Sequence, residues 1–415
     1  MPELKPLTPV RFAAPAGGGD ISSKIAPPYD VLDAGPKAEL LARDPHNIVA
    51  VDLPVTPPKT VGPDAAYEAT GELYRGWLGE GVLVHDDRRG VVVYEQAYEL
   101  DGQGVRRRGL ITGLGVEEFN RPGGGIFRHE MTIAGGIGDR TKLMQATRAQ
   151  LSPIFGIFPD PEKSVVAALN EVCESREPDF FGTTDHDGVA HRCWAVADAD
   201  TLATLAEFFA DTDVFIADGH HRYTTALQFS KDHPELPGAG ACLFVLVAAE
   251  DPGMVVLPTH RVVCGLDALS ADDLRAMIEH DPRLKPAASA ESARFGVYLP
   301  GHDSLIGIDT TDDPLAELYP DKPAVWRTLD VAVLQHLLVD ELWRGGGGPL
   351  SVKYTADVGE MKEMTDAEPG RVGVVMRSTP LESVMGVSRA NEVMPPKSTY
   401  FYPKLATGLV INPLD

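Results

Sequence analysis

Two patterns of hydrophobic residues alternate along this chain: short, mostly apolar runs and apolar residues with helical spacing. Short, mostly apolar runs predict buried strands, and four of them are residues 154–158, 191–196, 214–217 and 242–249. Apolar residues with helical spacing lie between these runs and predict helices, which are residues 161–174, residues 200–210 and a segment that begins at His220. Strands that alternate with helices predict an α/β fold built on a mixed sheet.

Three further segments extend this pattern. Residues 91–119 alternate in a β manner on both sides of Asp101-Gly102, which predicts a hairpin with a tight turn at that pair. Residues 47–51 predict a short strand. Asp139 follows a run of glycines, and we expect it to cap a helix that runs through Ala146.

The length of 415 residues exceeds what one ordinary core supports and predicts two domains or one large composite fold. We expect residues 1–265 to form a core that carries the hairpin and a glycine-rich loop as insertions. Residues 266–415 are expected to form a C-terminal α/β region. Prolines and aromatic residues in its tail, residues 392–408, predict that the tail docks back toward the site.

Candidate chemistry is concentrated where the apolar run 214–217 meets the following helix. The first turn of a helix has backbone N–H groups without partners and carries the positive end of the helix dipole, so it is a natural seat for an anion. The residues at this turn are Asp218, Gly219, His220, His221 and Arg222. We therefore predict a phosphate-binding element here.

A second polar cluster lies between glycines in residues 122–142. Arg128 and Arg140 have the chemistry to hold phosphate oxygens, and Glu130 or His129 could take a proton from a hydroxyl group. The alternative is a surface loop whose charges pair with one another.

Three other segments carry residues of the same chemical types. Pro27-Pro28 presents Tyr29 and Asp30 at a fixed bend, and the pair His260-Arg261 follows a predicted strand. Lys397 and Lys404 lie in the proline-rich tail. Each of these residues could line a site or serve only the packing of its segment.

Charge excludes one class of partner. Lys and Arg total 37 against 61 Asp and Glu, so the formal net charge is −24, which opposes binding to duplex nucleic acid. The four cysteines contain no Cys-x-x-Cys pair, which favours a reduced, cytoplasmic setting. We expect no membrane partner, because we find neither a signal peptide nor an apolar run long enough to span a bilayer.

Six motifs of this chain together resemble one family, the domain-of-unknown-function family 1015, which often carries a ParB-like or SpoOJ-like label. They are Pro27-Pro28-Tyr29-Asp30-Val31, Arg128-His129-Glu130-x-Thr132, Asp139-Arg140, Ala217-Asp218-Gly219-His220-His221-Arg222-Tyr223, Leu257-Pro258-Thr259-His260-Arg261 and the segment from Met394 to Lys404. They occur in family order over almost the whole chain.

The Asp-Gly-His-His-Arg element is also similar to that of the free serine kinases of the ParB/sulfiredoxin superfamily. This resemblance implies a ParB/sulfiredoxin-like nucleotide-binding core with large additions, in which the residues from Asp218 to Arg222 bind nucleotide phosphates. The chain is far longer than those kinases, and the position of their acidic base is ambiguous between Asp30 and Glu130.

The leading hypothesis is a small-molecule kinase that transfers a nucleotide's phosphoryl group to a hydroxyl of an amino acid or hydroxy acid. It would use ATP or ADP with Mg²⁺, and Asp218 would support the metal or cap the helix. Glu130, Asp30 and His129 are the candidate catalytic residues. The phosphate-binding candidates are Asp218, Gly219, His220, His221, Arg222, Arg128, Arg140, His260, Arg261, Lys397 and Lys404.

Two alternatives stay open at this point. The same element could bind nucleotide without turnover in a ParB-like regulatory protein, although we see no basic helix-turn-helix. A third hypothesis is a hydrolase with histidine metal ligands, taken from His129, His220, His221 and His260. The expected partners are a nucleotide and a small hydroxylated metabolite, with a homodimer left open.

Overall fold

The protein divides into two compact units in a computed structural model. The structure describes residues 2–14, 19–184, 188–266, 269–290, 292–302, 304–344 and 350–415. The first unit is Met1–Met254 together with Pro403–Asp415, and the second unit is Val255–Tyr402.

The first unit is organised around a nine-stranded mixed sheet. Its strands, with three short ones outside that sheet, are β1 (Leu4–Lys5), β2 (Val10–Phe12), β3 (Leu83–His85), β4 (Val91–Leu100), β5 (Gln103–Gly115), β6 (Ile126–Phe127), β7 (Ala149–Gln150), β8 (Ile154–Phe158), β9 (Phe180–Thr184), β10 (Val189–Val196), β11 (Val214–Asp218) and β12 (Ala241–Ala248). The order is β6-β11-β8-β12-β5-β4-β10-β9, and β1 also pairs with β5. Strands β11 and β6 are parallel, as are β12 and β8, whereas the other pairs are antiparallel. The predicted mixed α/β sheet is confirmed.

The predicted hairpin at Asp101-Gly102 is confirmed as β4 and β5. Asp101 has a φ of 50° and Gly102 a φ of 74°. Two central residues with positive φ are what a two-residue turn needs to match the twist of its strands.

The described residues of the first unit form seven α-helices, which lie between its strands along the chain. They are α1 (Ala34–Arg43), α2 (Val49–Asp52), α3 (Asp64–Gly79), α4 (Ala134–Thr147), α5 (Ser164–Ser175), α6 (Ala199–Ala210) and α7 (His220–Asp232). Two short 3-10 helices are Tyr29–Val31 and Pro237–Gly240. Helices α5, α6 and α7 confirm the predictions from helical spacing.

The strand predicted for residues 47–51 is wrong, because this segment turns into α2. The side-chain oxygen of Asn47 accepts a hydrogen bond from the Val49 amide at 3.0 Å. The Asn47 amide group also donates to the carbonyls of Ser23 and Ile25. These contacts stabilise a turn that the run of valines does not reveal.

The predicted helix cap at Asp139 is also wrong, since α4 begins five residues earlier, at Ala134. The glycines lie inside the helix because other groups approach them closely. A Cβ atom on Gly136 would lie 2.6 Å from Cδ2 of His221. Asp139 instead is buried and accepts a hydrogen bond from the Tyr67 hydroxyl at 2.8 Å.

The second unit contains a six-stranded antiparallel sheet. Its strands are β13 (Val255–Leu257), β14 (His260–Cys264), β15 (Leu284–Pro286), β16 (Phe295–Tyr298), β17 (Ile306–Thr310), β18 (Ser351–Thr355), β19 (Arg371–Met376) and β20 (Tyr400–Tyr402), of which β13 and β20 form a separate pair. Its helices are α8 (Ala271–His280), α9 (Ala324–Arg327), α10 (Asp330–Val333), a π-helix (Leu334–Trp343), α11 (Val358–Asp366) and α12 (Leu381–Arg389).

The bounds of the two units differ from the predicted ones at both ends of the second unit. Strand β14 lies between β19 and β18, so residues 255–265 group with the second unit rather than with the core expected for residues 1–265. The chain ends in the first unit, where strand β21 (Asn412–Pro413) pairs with β7. A nucleotide-binding role for residues 1–265 stays a prediction.

Candidate functional site

The predicted phosphate-binding element is the turn between β11 and α7, and its backbone conformation is closely constrained. The register of β11 against β8 shifts between Ile216 and Asp218, which is a bulge at the end of the strand. Gly219 then adopts a φ of 98° and is the N-cap of α7. A Cβ atom there would also lie only 3.0 Å from Nε of Arg222, so glycine is required on both grounds.

Asp218 is held between two cations at this turn. Its Oδ1 accepts a hydrogen bond from the Gly219 amide at 2.9 Å. Its Oδ2 lies 3.4 Å from Nζ of Lys404 and 3.4 Å from a guanidinium nitrogen of Arg222. Burial alone would raise the pKa of Asp218, but Lys404 and Arg222 lower it well below the usual value, so the carboxylate is ionised.

Arg222 lies beneath the turn rather than on the surface. Only 9% of the residue is exposed, and its guanidinium donates a hydrogen bond to the carbonyl of Pro153. Burial would lower the pKa of Arg222, but Asp218 and Asp30 raise it. Arg222 therefore adds a permanent positive charge under the first turn of α7.

The rings of His220 and His221 are used as hydrogen-bond acceptors for a loop. Nε2 of His221 accepts from the amide of Ile133 at 2.9 Å, and Nε2 of His220 accepts from the amide of His129 at 3.4 Å. An accepting nitrogen has no proton, so Nδ1 of each neutral ring carries it. Burial, together with Lys59, lowers the pKa of His221 to about 4. Burial and His129 likewise lower the pKa of His220.

The loop whose amides donate to these two rings, residues 128–133, carries the predicted cluster of polar residues. His129 is 2% exposed, its ring lies edge-on to that of His220 at 4.7 Å, and burial lowers its pKa to about 4. Glu130 has a side chain 43% exposed, with Oε2 at 3.9 Å from Nδ1 of His220. The guanidinium of Arg128 lies 4.9 Å over the ring of Phe119. Of these residues, Glu130 combines a carboxylate with access to solvent.

A buried ion-pair network fixes the segment that precedes Asp30. Arg140 is 5% exposed, and its guanidinium lies 3.8 Å over the ring of Tyr29. It pairs with Asp52 at 3.2 Å and with Asp139 at 2.8 Å. By stacking on Tyr29, Arg140 positions the turn that carries the next residue, Asp30.

Asp30 has one buried carboxylate oxygen without a hydrogen-bond partner among the described residues. Its Oδ2 lies 3.2 Å from Nζ of Lys59, whereas its Oδ1 is buried and has no hydrogen-bond partner among the described residues. Both Asp30 and Lys59 influence the pKa of His221, and Lys59 also influences that of Asp218, so the pair lies within electrostatic reach of the turn. A buried polar atom without a partner calls for an explanation, and a ligand is one.

The second unit holds the remaining predicted residues. His260 accepts a hydrogen bond from the Met376 amide at 3.0 Å through Nδ1. Arg261 is 5% exposed and donates to the carbonyls of Thr259 and Lys397. These contacts fix the backbone of their own unit, and a phosphate-binding role for His260, Arg261 and Lys397 stays a prediction.

Sequence reasoning missed Lys59 and Asp52 as parts of this group of side chains, which also includes Tyr29 and Asp30. Lys59 follows Pro57-Pro58 and has a φ of 64°, but nothing in its local sequence connects it to Asp30. The proline pair before Tyr29 was the available signal for that segment.

In the described part of the chain, no group of three or more His, Cys, Asp or Glu side chains is arranged to hold a metal ion. No helix within the described ranges combines the length and the apolar character needed to cross a membrane.

The chain belongs to the family described as protein of unknown function (DUF1015), which its sequence matches over residues 4–332. The predicted family is therefore confirmed, whereas the ParB-like label stays a prediction. No curated protein sequence matches the chain.

Several solved structures are similar to it. Truncated SbnI from Staphylococcus aureus has a TM-score of 0.36 at 11% identity, covering 71% of this chain and 84% of that one. A free serine kinase in complex with AMP has a TM-score of 0.32 at 13% identity, covering 71% and 98%. A variant of free serine kinase in complex with ADP has a TM-score of 0.33 at 12% identity, covering 68% and 89%.

Proposed function

We propose that this protein is a phosphotransferase that moves a nucleotide's terminal phosphoryl group to a hydroxyl of a small molecule, such as an amino acid or hydroxy acid. The observation that carries the proposal is the unpaired, buried Oδ1 of Asp30 within electrostatic reach of the anion seat at α7. Phosphoryl transfer needs this combination of a phosphate cradle, fixed cations and a carboxylate at the acceptor hydroxyl.

The phosphate groups would bind at the start of α7. The first-turn amides of the helix and the Nδ1–H of His221 are donors, and Lys404 and Lys59 bring positive charge beside them. Arg222 supports the same charge from beneath. This arrangement offsets the charge that develops on the transferred phosphoryl group without reorganisation at the moment of reaction.

Asp30 is the favoured base. The hydroxyl oxygen of the acceptor would form a bond to the terminal phosphorus while the bond from phosphorus to the bridging oxygen of the nucleotide breaks. The hydroxyl proton would pass to Oδ1 of Asp30, and the shortened nucleotide would leave. Glu130 is the alternative base, but its carboxylate already lies 3.9 Å from His220.

Mg²⁺ fits the oxygen donors of this site. Asp218, whose carboxylate is ionised, would hold the ion together with phosphate oxygens of the nucleotide, since Mg²⁺ is usually bound by one or two carboxylates plus substrate phosphates. When bound, it would neutralise phosphate charge.

No observation favours the hydrolase hypothesis. The Nε2 atoms of His220 and His221 accept backbone hydrogen bonds, as does Nδ1 of His260 in its own unit. A nucleotide sensor shares the phosphate seat, so the test must separate binding from turnover.

The test is ³¹P NMR of the protein with ATP or ADP, Mg²⁺ and a panel of amino acids and hydroxy acids. We expect a phosphate ester of one acceptor class to accumulate. Asp30→Asn should lower the turnover rate at least about 100-fold, because it removes the base, while nucleotide affinity in calorimetry stays within about threefold. Asp200→Asn, at an exposed position of α6, is the matched control and should leave both unchanged.

Two outcomes would contradict the proposal. Tight nucleotide binding without turnover over the whole panel would indicate the sensor. Equal turnover by Asp30→Asn and the native protein would remove Asp30 from the chemistry.

A further inference from the structure

Three exposed apolar side chains surround the start of α4, next to the anion seat. Met131 and Ile133 are each 57% exposed, and no other large apolar residue in the described ranges is more exposed. Val61 is 44% exposed. A Cβ atom on Gly138 would lie 2.9 Å from Cγ2 of Val61, so Val61 packs on the first turns of the helix whose N-cap is Ile133.

The loop that presents Met131 and Ile133 is fixed at two points. Its amides at His129 and Ile133 donate to Nε2 of His220 and of His221, and both rings are held neutral by burial. The backbone of the loop is therefore attached to the same helix turn that would bind phosphate. Exposing a cluster of large apolar side chains costs free energy unless something binds there.

We propose that Met131, Ile133 and Val61 form a platform, named here the apolar platform, for the nucleobase of the nucleotide whose phosphates occupy the α7 turn. This inference rests on the proposed function. A nucleoside diphosphate is charged at one end and has a flat, largely apolar base at the other. The anion seat and the apolar platform match these two ends and are joined by the hydrogen bond from Ile133 to His221.

Aliphatic side chains contact the face of a base and form no hydrogen bonds to its edge. The apolar platform therefore favours purines over pyrimidines by contact area and discriminates weakly between adenine and guanine. The other possible occupant is an apolar part of the acceptor, and the test below separates it from the base.

The experiment compares calorimetric titrations with ADP and with inorganic tripolyphosphate. Replacing both residues, Met131→Ser with Ile133→Ser, should weaken ADP binding about tenfold through lost contact with the base and leave tripolyphosphate binding within about twofold. Both positions are exposed, so the fold should persist. Leu73→Ser, at a 39% exposed position of α3, is the matched control and should change neither affinity.

Each contrary outcome has a distinct meaning. The platform would be overturned if the double variant lost affinity equally for ADP and tripolyphosphate, or if it bound both ligands with no loss of affinity for ADP. Neither result would contradict the anion seat. A changed KM for the acceptor with unchanged ADP affinity in the double variant would assign Met131 and Ile133 to the acceptor and overturn the proposal. A native protein that binds neither ligand would overturn the anion seat, and the platform with it.

Discussion

Replacing Gly136 by alanine tests whether this position of α4 must be glycine to allow the close contact with His221. The added Cβ would lie 2.6 Å from Cδ2 and 3.1 Å from Nε2 of that ring. The two nearest ring atoms are thus the nitrogen that accepts from the Ile133 amide at 2.9 Å and the carbon bonded to it. We expect the ring to shift and that hydrogen bond to weaken or break.

The magnitude follows from two opposing effects. Alanine in a helix interior is favoured over glycine by about 1 kcal/mol. Against this gain, the lost hydrogen bond costs about 1 kcal/mol and overpacking typically costs about 1–3 kcal/mol. Gly136→Ala should therefore lower the free energy of unfolding by about 1–3 kcal/mol.

Gly76→Ala is the matched control, because Gly76 lies inside α3 and no described atom outside its own helix backbone and chain neighbours would lie within 4 Å of a Cβ there. It should raise the free energy of unfolding by up to about 1 kcal/mol. Urea unfolding followed by circular dichroism measures both variants. A gain for Gly136→Ala equal to that of the control would refute the close contact between α4 and His221.

Two further predictions concern stability. The pKa values of about 4 for His129 and about 3 for His191 are lowered by burial, so the unfolded chain binds protons at these residues before the folded one does. Urea unfolding should therefore show a free energy of unfolding that is highest above pH 6.5. It should fall toward pH 4 by about 1.4 kcal/mol per pH unit for each histidine. A free energy of unfolding that does not change over this range would contradict the prediction. Arg140→Met should lower the free energy of unfolding by about 3–5 kcal/mol in the same assay, because it leaves Asp52 and Asp139 buried without their cation. A loss below about 1 kcal/mol would argue against the ion-pair network around Arg140.

Local patterns predicted the elements that carry the candidate site. The strand that ends at Asp218, the glycine at Gly219 and the helix from His220 follow from apolar periodicity and turn chemistry, and so does the hairpin at Asp101-Gly102. Each of these signals lies within a few residues of the element that it specifies.

The errors arose where partners are distant along the chain. The acceptor role of His221 depends on Ile133, 88 residues away. The glycines before Asp139 lie in a helix because distant groups approach them, namely the Lys59 carbonyl at Gly135, the His221 ring at Gly136 and Val61 at Gly138. Lys59 belongs to the candidate site because it contacts Asp30, which lies 29 residues earlier in the chain. Such pairings depend on tertiary structure and have no periodic signature in the sequence.

The anion seat at α7 is tested most directly by a calorimetric titration with ADP. Lys404→Met removes one of the two cations that lie 3.4 Å from Asp218. Lys231→Met removes a lysine at the C-terminal end of α7 and serves as the matched control. The dissociation constant should increase at least about tenfold for Lys404→Met, as expected for a lost charge-assisted hydrogen bond to phosphate, and stay unchanged for Lys231→Met. Equal dissociation constants for the native protein and both variants would contradict phosphate binding at this turn.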